Sequence, residues 1–143
     1  MIRYHDSCAA LIKQINDGLE KQANRMLRED DLTIMQVAVL VELDGAAGKT
    51  LSLKELEHRF GVAQPTMLGI VKRLEQKVLV EMLSSAEDRR IRLVHLTGAG
   101  MQKCQTGYDH MEAAEDSLLR PLDDGERAQF RSMLERIKIS LQA

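Results

Sequence analysis

The sequence predicts a mainly α-helical chain that carries one small β-hairpin. Apolar residues recur at helical spacing toward both ends, two short helical segments meet at a glycine in the middle, and the period then changes from 3.6 to 2. Of the 143 residues, 44% are apolar and 29% are charged, values typical of folded globular proteins. We therefore expect a single domain over residues 1–143, a cytoplasmic location and no membrane span.

A long amphipathic helix is predicted at the start of the chain, and two more at its end. The first follows an N-cap at Asp6 or Ser7 and runs for about 20 residues. Thr97 precedes a second long helix that Pro121 ends, and the Asp123-x-x-Glu126 pattern opens the last one. Each helix carries an apolar stripe that must be buried.

These stripes predict a homodimer. The small middle region can cover only part of them, and a buried stripe at both chain ends is what a helical dimer interface requires. We therefore assign residues 1–32 and 98–143 to a helical dimerisation lobe. The alternative is that these helices only close the core of a monomer.

The middle of the chain predicts a helix-turn-helix. Thr33-x-x-Gln36 opens one helix that Gly45 stops, and a loop follows over residues 45–49. Ser52-x-x-Glu55 reads as a second capping box, whose short helix ends at Gly61. After a three-residue turn, a helix over residues 64–77 carries Pro65 in its first turn, where a missing N–H is harmless.

Two segments of alternating polarity follow, over Val78–Leu83 and Ile91–Leu96. The polar loop of residues 84–90 joins them, so the unit is predicted to be a β-hairpin with a charged tip. A helix-turn-helix followed by such a hairpin is a winged helix-turn-helix, which we place at residues 33–97.

Charge and composition favour a reader of duplex nucleic acid. Residues 51–96 hold eight Lys/Arg and six Asp/Glu, a net charge of +2, whereas the remainder holds twelve and sixteen, a net charge of −4. With two Tyr, two Phe and no Trp, the chain lacks the aromatic platforms on which single strands stack. No nucleophile elbow or glycine-rich phosphate loop is present, so we expect neither an enzyme nor a cofactor.

The middle of the chain resembles the MarR family of bacterial transcriptional regulators. The resemblance rests on Arg73-Leu74-Glu75, Asp88-Arg89-Arg90 and Leu96-Thr97-x-x-Gly100 at their present separations, and the flanking helices extend it over nearly the whole chain. It implies a homodimeric transcriptional repressor that binds double-stranded DNA at a near-palindromic operator. It also implies relief of DNA binding by a small aromatic or acidic effector, seated where the first, second and fifth helices meet the winged lobe, or by oxidation.

The helix over residues 64–77 is the expected recognition helix, whose outer face would enter the major groove. Family members often carry Ser or Thr and Arg where this chain has Leu68 and Gly69. Gly69 is explained equally well by close approach of the helix backbone to DNA and by a tolerated surface residue. Lys77 is a further candidate for phosphate contact. The predicted DNA-binding residues are Gln64, Pro65, Thr66, Leu68, Gly69, Lys72, Arg73, Arg89 and Arg90.

The wing tip has a role that the resemblance implies. Asp88 would brace Arg90, which would enter the minor groove, while Arg89 would contact a phosphate. The alternative is a solvated turn in which Asp88 and Arg90 are separately dispensable.

The remaining candidate residues give weaker indications of function. Cys8 is a candidate redox residue, because some members of the family sense oxidants through a cysteine near the first helix; the alternative is a small buried residue of the apolar stripe. We interpret Cys104 as inert packing. The acidic residues and His of residues 109–115 wind around several helix faces, so no metal site is predicted. Because Leu68 and Gly69 weaken base readout, the alternative function is a winged-helix module for protein interaction or dimerisation.

Overall fold

A computed structural model of the protein describes residues 1–142 and confirms the mainly helical fold with a small β-sheet wing. The helices and strands are α1 (Cys8–Leu27), α2 (Ile34–Gly45), β1 (Thr50–Ser52), α3 (Leu53–Phe60), α4 (Gln64–Gln76), β2 (Val80–Ser84), β3 (Arg92–Leu96), α5 (Gly98–Leu119) and α6 (Asp124–Gln142). No helix within the described residues is both long enough and apolar enough to cross a membrane.

The predicted helix starts are formed by side-chain caps. Ser7 caps α1 by accepting a hydrogen bond from the Ala10 N–H, and Thr33 and Gln36 form both bonds of a capping box on α2. At α3 only half of the predicted box is formed, because Ser52 accepts from the Glu55 N–H without a return bond to its own N–H. Side-chain caps therefore fix where α1, α2 and α3 begin.

The sheet has three strands, whereas the sequence predicted two. β3 is the central strand and pairs antiparallel with both β1 and β2, so that Val94 lies opposite Leu51 on one side and Met82 on the other. β1 is three residues long and lies between the predicted loop of residues 45–49 and the predicted start of α3, where no strand was expected. A segment this short is too brief for its alternation to be recognised, so its pairing partner decides its conformation.

The first strand of the predicted hairpin begins two residues later than expected. Val78 has a left-handed backbone with φ of 60°, and β2 starts at Val80. The N–H groups of Val78 and Leu79 donate to the Glu75 and Leu74 carbonyls, which is the bonding pattern of a Schellman motif that ends α4. Valine thus occupies the position that glycine normally takes.

Residues Met1–His110 form a compact unit with its own apolar core. Fully buried side chains from α1, α2, α3, α4 and the sheet meet in it, among them Leu27, Leu40, Leu43, Leu56, Met67, Leu74 and Leu96. Gly100 explains the Leu-Thr-x-x-Gly motif, because a Cβ there would overlap the Leu79 carbonyl oxygen. Close packing at the start of α5 therefore requires glycine.

A second compact unit begins at Met111. Its helix α6 starts at a full capping box, in which the Asp123 side chain accepts from the Glu126 N–H at 2.9 Å and the Glu126 side chain accepts from the Asp123 N–H at 3.0 Å. Along α6 no residue is buried in the described chain, and Met133, Leu134, Ile137 and Leu141 are all exposed. The division of the chain into lobes at residues 33–97, 1–32 and 98–143 stays a prediction.

The first helix also leaves apolar side chains uncovered. Leu11, Ile12 and Ile15 of α1 are each about half exposed, whereas Ala23 and Leu27 further along the helix are buried. The N-terminal half of the predicted α1 stripe is therefore only partly covered by residues 1–142.

Candidate nucleic-acid interface

A tight turn after α3 determines where the predicted recognition helix α4 begins. Gly61 takes a left-handed conformation with φ of 62°, and its N–H and that of Val62 close the end of α3. α4 then begins at Gln64 with Pro65 in its first turn, and Ala63 supplies no side-chain cap. Met67, Val71 and Leu74 bury one face of α4 in the core, which directs the opposite face to solvent.

The solvent face carries most of the predicted DNA-binding residues. Gln64, Pro65, Thr66, Lys72 and Arg73 are all exposed. This face therefore offers two amide or hydroxyl groups near its start and two cations near its end.

The centre of this face is bare. Leu68 is half-buried and packs against the core, so less of it faces outward than the helical projection suggested. Apart from the adjacent residues and the nearby backbone of α4 itself, a Cβ added at Gly69 would meet no described atom within 4 Å. Packing among residues 1–142 therefore does not explain Gly69.

The wing loop holds one guanidinium in a defined position. Asp88 Oδ1 accepts from the backbone N and the Nε of Arg90 at 3.0 and 3.1 Å, and Oδ2 accepts from Nη2 at 3.1 Å. These bonds to Arg90 hold the pKa of the Asp88 carboxyl below its ordinary value. The Arg90 side chain is nonetheless 91% exposed, so its outer edge remains open to a ligand.

A groove of about 560 Å³ lies between the recognition helix and the wing. Gln64 of α4 and Arg90 of the wing loop both line it. Sequence reasoning missed two further cations that line it, Lys54 of α3 and Arg92 of β3. Both were counted in the basic middle region, but only the fold shows that they face the same groove. We call this surface, made of the solvent face of α4, the groove and the loop of residues 85–91, the DNA-facing surface, because it carries the residues predicted to bind DNA.

Lys77 does not belong to the DNA-facing surface. Its Nζ donates to the Asp31 carbonyl oxygen and, at 3.1 Å, to Gln36 Oε1, so the side chain points back toward the start of α2. The interpretation of Lys77 as a phosphate contact is therefore wrong in this conformation. The residue instead ties the end of α4 to the segment between α1 and α2.

The two cysteines lie in opposite environments. Cys8, at the first position of α1, is exposed, so the alternative interpretation as a buried residue is wrong for the single chain. Cys104 is buried, and burial raises the pKa of its thiol to about 11, in keeping with inert packing. Within residues 1–142, no group of three His, Cys, Asp or Glu side chains could hold a metal ion.

Comparison with known proteins confirms the predicted resemblance. Residues 30–91, which include α2 to α4, β2 and the wing loop, match the model of the MarR family. None of the curated proteins matches the chain in sequence.

Solved structures of transcriptional regulators share the fold over almost the whole chain. The Staphylococcus aureus MepR–DNA complex matches with a TM-score of 0.87 and 22% identity, covering 94% of this chain and 98% of that one. Escherichia coli MarR, a cysteine-to-serine mutant complexed with operator DNA, gives 0.81 and 26%, covering 90% and 91%. Bordetella bronchiseptica BpsR, whose DNA binding is regulated by 6-hydroxynicotinic acid, gives 0.86 and 21%, covering 96% and 97%.

Proposed function

We propose that the chain, whose residues 30–91 match the model of the MarR family, is a DNA-binding transcriptional regulator of that family and acts as a homodimeric repressor of a near-palindromic operator. The observation that carries the proposal is the groove in which Gln64 of α4 and the braced Arg90 of the wing meet. α4 would enter the major groove while the wing reaches the adjacent minor groove.

The polar residues of the DNA-facing surface suggest how base pairs are read. A glutamine amide can bond both N6 and N7 of adenine, and a threonine can contact a thymine methyl group. Gln64 and Thr66 are exposed near the start of α4, whereas the central position, Gly69, has no guanidinium to pair with guanine. We therefore expect half-sites rich in A·T pairs, with Lys72, Arg73 and Arg89 on phosphates.

A dimer is supported by apolar side chains that the single chain leaves uncovered. Ile12 and Ile15 of α1 and Leu134 and Ile137 of α6 are each 40–50% exposed. Surfaces of this kind at both chain ends fit an isologous interface between two copies. Such a dimer would place two copies of α4 in successive major grooves, about 34 Å apart along the duplex.

The oligomeric state can be tested by sedimentation. The intact chain should sediment as a dimer at micromolar concentration, and Ile137→Glu should sediment as a folded monomer because its side chain is not buried within the chain. Arg120→Glu, a charge change at a residue outside both stripes, is the matched control and should remain dimeric. A folded monomer for the intact chain contradicts the proposed assembly.

DNA binding can be tested by selecting bound sequences from a random duplex library and measuring their affinity at several salt concentrations. We expect an enriched sequence with two related half-sites, and an affinity that falls steeply with salt because phosphate contacts release counterions. Arg90→Ala should lose affinity for that sequence. Arg120→Ala is the control, because Arg120 is also exposed and paired with a carboxylate, that of Asp116. Selection without enrichment would favour the protein-interaction module.

Regulation by a small acidic molecule is also part of the proposal. It is supported by the resemblance and by the ligand that regulates DNA binding of BpsR. An effector can act only if it binds the DNA-competent and DNA-incompetent conformations with different affinities. A set of aromatic and aliphatic acids should therefore include at least one that changes DNA affinity at constant ionic strength.

A further inference from the structure

A second cavity, of about 390 Å³, lies beside the DNA-facing surface and shares Arg73 with it, between the end of α1, the start of α2 and the end of α4. Arg28, Arg73 and Lys77 line it, and Asp31 is the single carboxylate among its lining residues. Within residues 1–142, neither Arg28 nor Arg73 lies within 4.0 Å of a carboxylate oxygen. Two guanidinium groups without a counterion therefore share one concave surface.

A buried amide adds a hydrogen-bond donor to this cavity. Gln36 is only 4% exposed, and its Oε1 accepts from the Thr33 N–H at 3.3 Å and from Lys77 Nζ at 3.1 Å. These two donors fix the amide orientation, so Nε2 is the end left over, and it donates to no acceptor within residues 1–142. Every fully buried side-chain N or O atom of those residues has a partner, so Nε2 retains some solvent exposure, and Gln36 is one of the residues that line the cavity.

Asn24 is arranged in the same way. Its Oδ1 accepts from the Ile34 N–H at 2.8 Å, which leaves Nδ2 as the group available to a ligand. The lining thus offers donors from two guanidinium groups, one ammonium and two amides. Its carboxylate, Asp31, has a 94% exposed side chain and lies 3.7 Å from Lys77.

The residues that line this cavity favour a charged ligand over an apolar one. Leu32 is the single apolar residue among those that line the cavity. Guanidinium groups bind carboxylate and phosphate oxygens in pairs, and unpaired donors near such groups strengthen the preference for an anion. A compact hydrophilic molecule with several carboxylate or phosphate oxygens fits this chemistry better than an aromatic acid does.

We propose that this cavity is a binding site for a small polyanion, and that its occupation weakens DNA binding. The second part rests on the proposed function. Arg73 lines the cavity and also belongs to the solvent face of α4, so a polyanion that engages its guanidinium withdraws it from a DNA phosphate. Lys77 links the end of α4 to Asp31 and Gln36 by hydrogen bonds. A ligand that competes for Lys77 would therefore also change the contacts at the end of the recognition helix.

The site itself is tested by calorimetric titration of the full chain, without DNA, with citrate and with inorganic pyrophosphate. Sodium chloride holds the ionic strength constant, and benzoate serves as the aromatic monoanion. We expect saturable binding of at least one polyanion and none of benzoate. Arg28→Ala should abolish this binding, whereas Arg25→Ala, the removal of an arginine outside the cavity one turn earlier on α1, should bind as wild type does. Absence of binding to wild type, or equal binding to Arg28→Ala, overturns the proposal.

Asn24→Asp provides a second variant that preserves the fold. The aspartate oxygen can still accept from the Ile34 N–H, but the donor that faces the cavity becomes a negative charge. Polyanion binding should therefore be lost while the melting temperature stays close to that of wild type. Undiminished binding by a folded Asn24→Asp chain would also overturn the site.

The link to DNA is tested by measuring affinity for the selected duplex with and without the bound polyanion. We expect DNA binding of wild type to weaken by about tenfold, within the usual range of coupling between sites. Arg28→Ala should bind DNA normally and be insensitive to the polyanion. Equal weakening of both proteins overturns the link, and so does calorimetric binding that leaves the DNA affinity of wild type unchanged. If neither protein binds DNA, the proposed function fails, while the calorimetry still decides the site.

Discussion

The wing and the recognition helix form neighbouring parts of the DNA-facing surface, yet they are built in opposite ways. In the wing, one carboxylate holds Arg90 through three hydrogen bonds while leaving its guanidinium 91% exposed. On α4, the centre of the outer face is Gly69, where no described atom outside the adjacent residues and the nearby helix backbone lies within 4 Å of an added Cβ. The wing therefore presents a preorganised cation, the Arg90 guanidinium. The outer face of α4 presents exposed backbone at Gly69, with polar side chains toward both ends of the helix.

This difference indicates where binding energy and specificity reside. An arginine that is already held in one rotamer loses less conformational entropy when it binds, so more of its interaction with DNA appears as affinity. A helix face without a central side chain contributes through fit and through the groups at its ends. Variants that alter one region and leave the other intact can separate these contributions.

The largest effect is expected from Arg90→Ala, which removes the preorganised cation. Affinity for the operator should fall by roughly 10-fold to 100-fold, the usual range for a specific arginine contact. The melting temperature should change little, since a surface ion pair contributes little to stability. Fluorescence anisotropy and a thermal melt measure the two quantities. A loss no larger than that of the control Arg120→Ala would mean that the wing does not engage DNA through Arg90.

Val78→Gly concerns the junction between the two regions and should stabilise the protein. Gly61 and Val78 end α3 and α4 with the same pair of backbone bonds and nearly the same φ, 62° and 60°. A left-handed conformation costs an L-residue about 1–2 kcal/mol, and Val78 is 65% exposed, so little buried area is lost on truncation. Denaturant unfolding should show a gain of about 1 kcal/mol.

The control for that gain is Val62→Gly, which lies just after the corresponding position of α3 and has a half-buried side chain packed against the core. That variant should lower the free energy of unfolding. A loss of stability in both variants would show that the Val78 side chain contributes more than its backbone conformation costs.

Asp88→Ala tests the brace by the sign of its effect. Bulk electrostatics predicts tighter DNA binding when a negative charge is removed, whereas loss of the brace predicts weaker binding. We expect a loss of about fivefold, smaller than that of Arg90→Ala because the guanidinium remains. Glu87→Ala removes the same charge one residue earlier without touching Arg90, and it should bind slightly more tightly. If both variants bind more tightly than wild type, the wing acts through net charge alone.

The depressed pKa of Asp88 sets the pH range of this test. A carboxyl whose pKa lies below its ordinary value in the folded protein remains ionised at neutral pH, and its ion pair is lost only as the pH falls through that lowered value. DNA affinity that depends on the brace should therefore be constant across neutral pH. Assays at neutral pH report the intact pair.

Much of the fold could be predicted because local signals agree with the global structure. The capping residues Ser7, Thr33 and Asp123 mark helix starts that the structure confirms, and Gly61 ends α3 as expected. β1 was missed because its three residues are held by pairing with β3, a partner more than 40 residues away. The start of β2 was misplaced because valine is typical of strands, and its left-handed conformation depends on bonds to α4.

The candidate site could be predicted only in part, for a related reason. Periodicity placed residues on the outer face of α4, and the resemblance pointed to Asp88 and Arg90, but neither shows where a long side chain extends. Lys77 directly follows the helix that carries Lys72, and its side chain points back to Gln36 and Asp31. Lys54 and Arg92 enter the groove only because the sheet and α3 meet beside the wing. The ends of flexible side chains depend on tertiary contacts that no local pattern encodes.

The smallest effect is expected from Gly69→Ala, which tests the bare face directly. Alanine is favoured over glycine inside a helix by about 0.5–1 kcal/mol, and the open space around Gly69 imposes no clash, so the unfolding free energy should rise by about that amount. Because no contact among the described residues requires glycine at this position, the test decides between close approach of the α4 backbone to DNA and a tolerated surface residue, and we propose the close approach. The same variant should therefore weaken operator binding by a few fold while stabilising the free protein. Arg120→Ala, which lies outside the DNA-facing surface, is again the control and should leave affinity close to that of wild type. A more stable Gly69→Ala chain that binds the operator as tightly as wild type would show that the glycine is merely a tolerated surface residue.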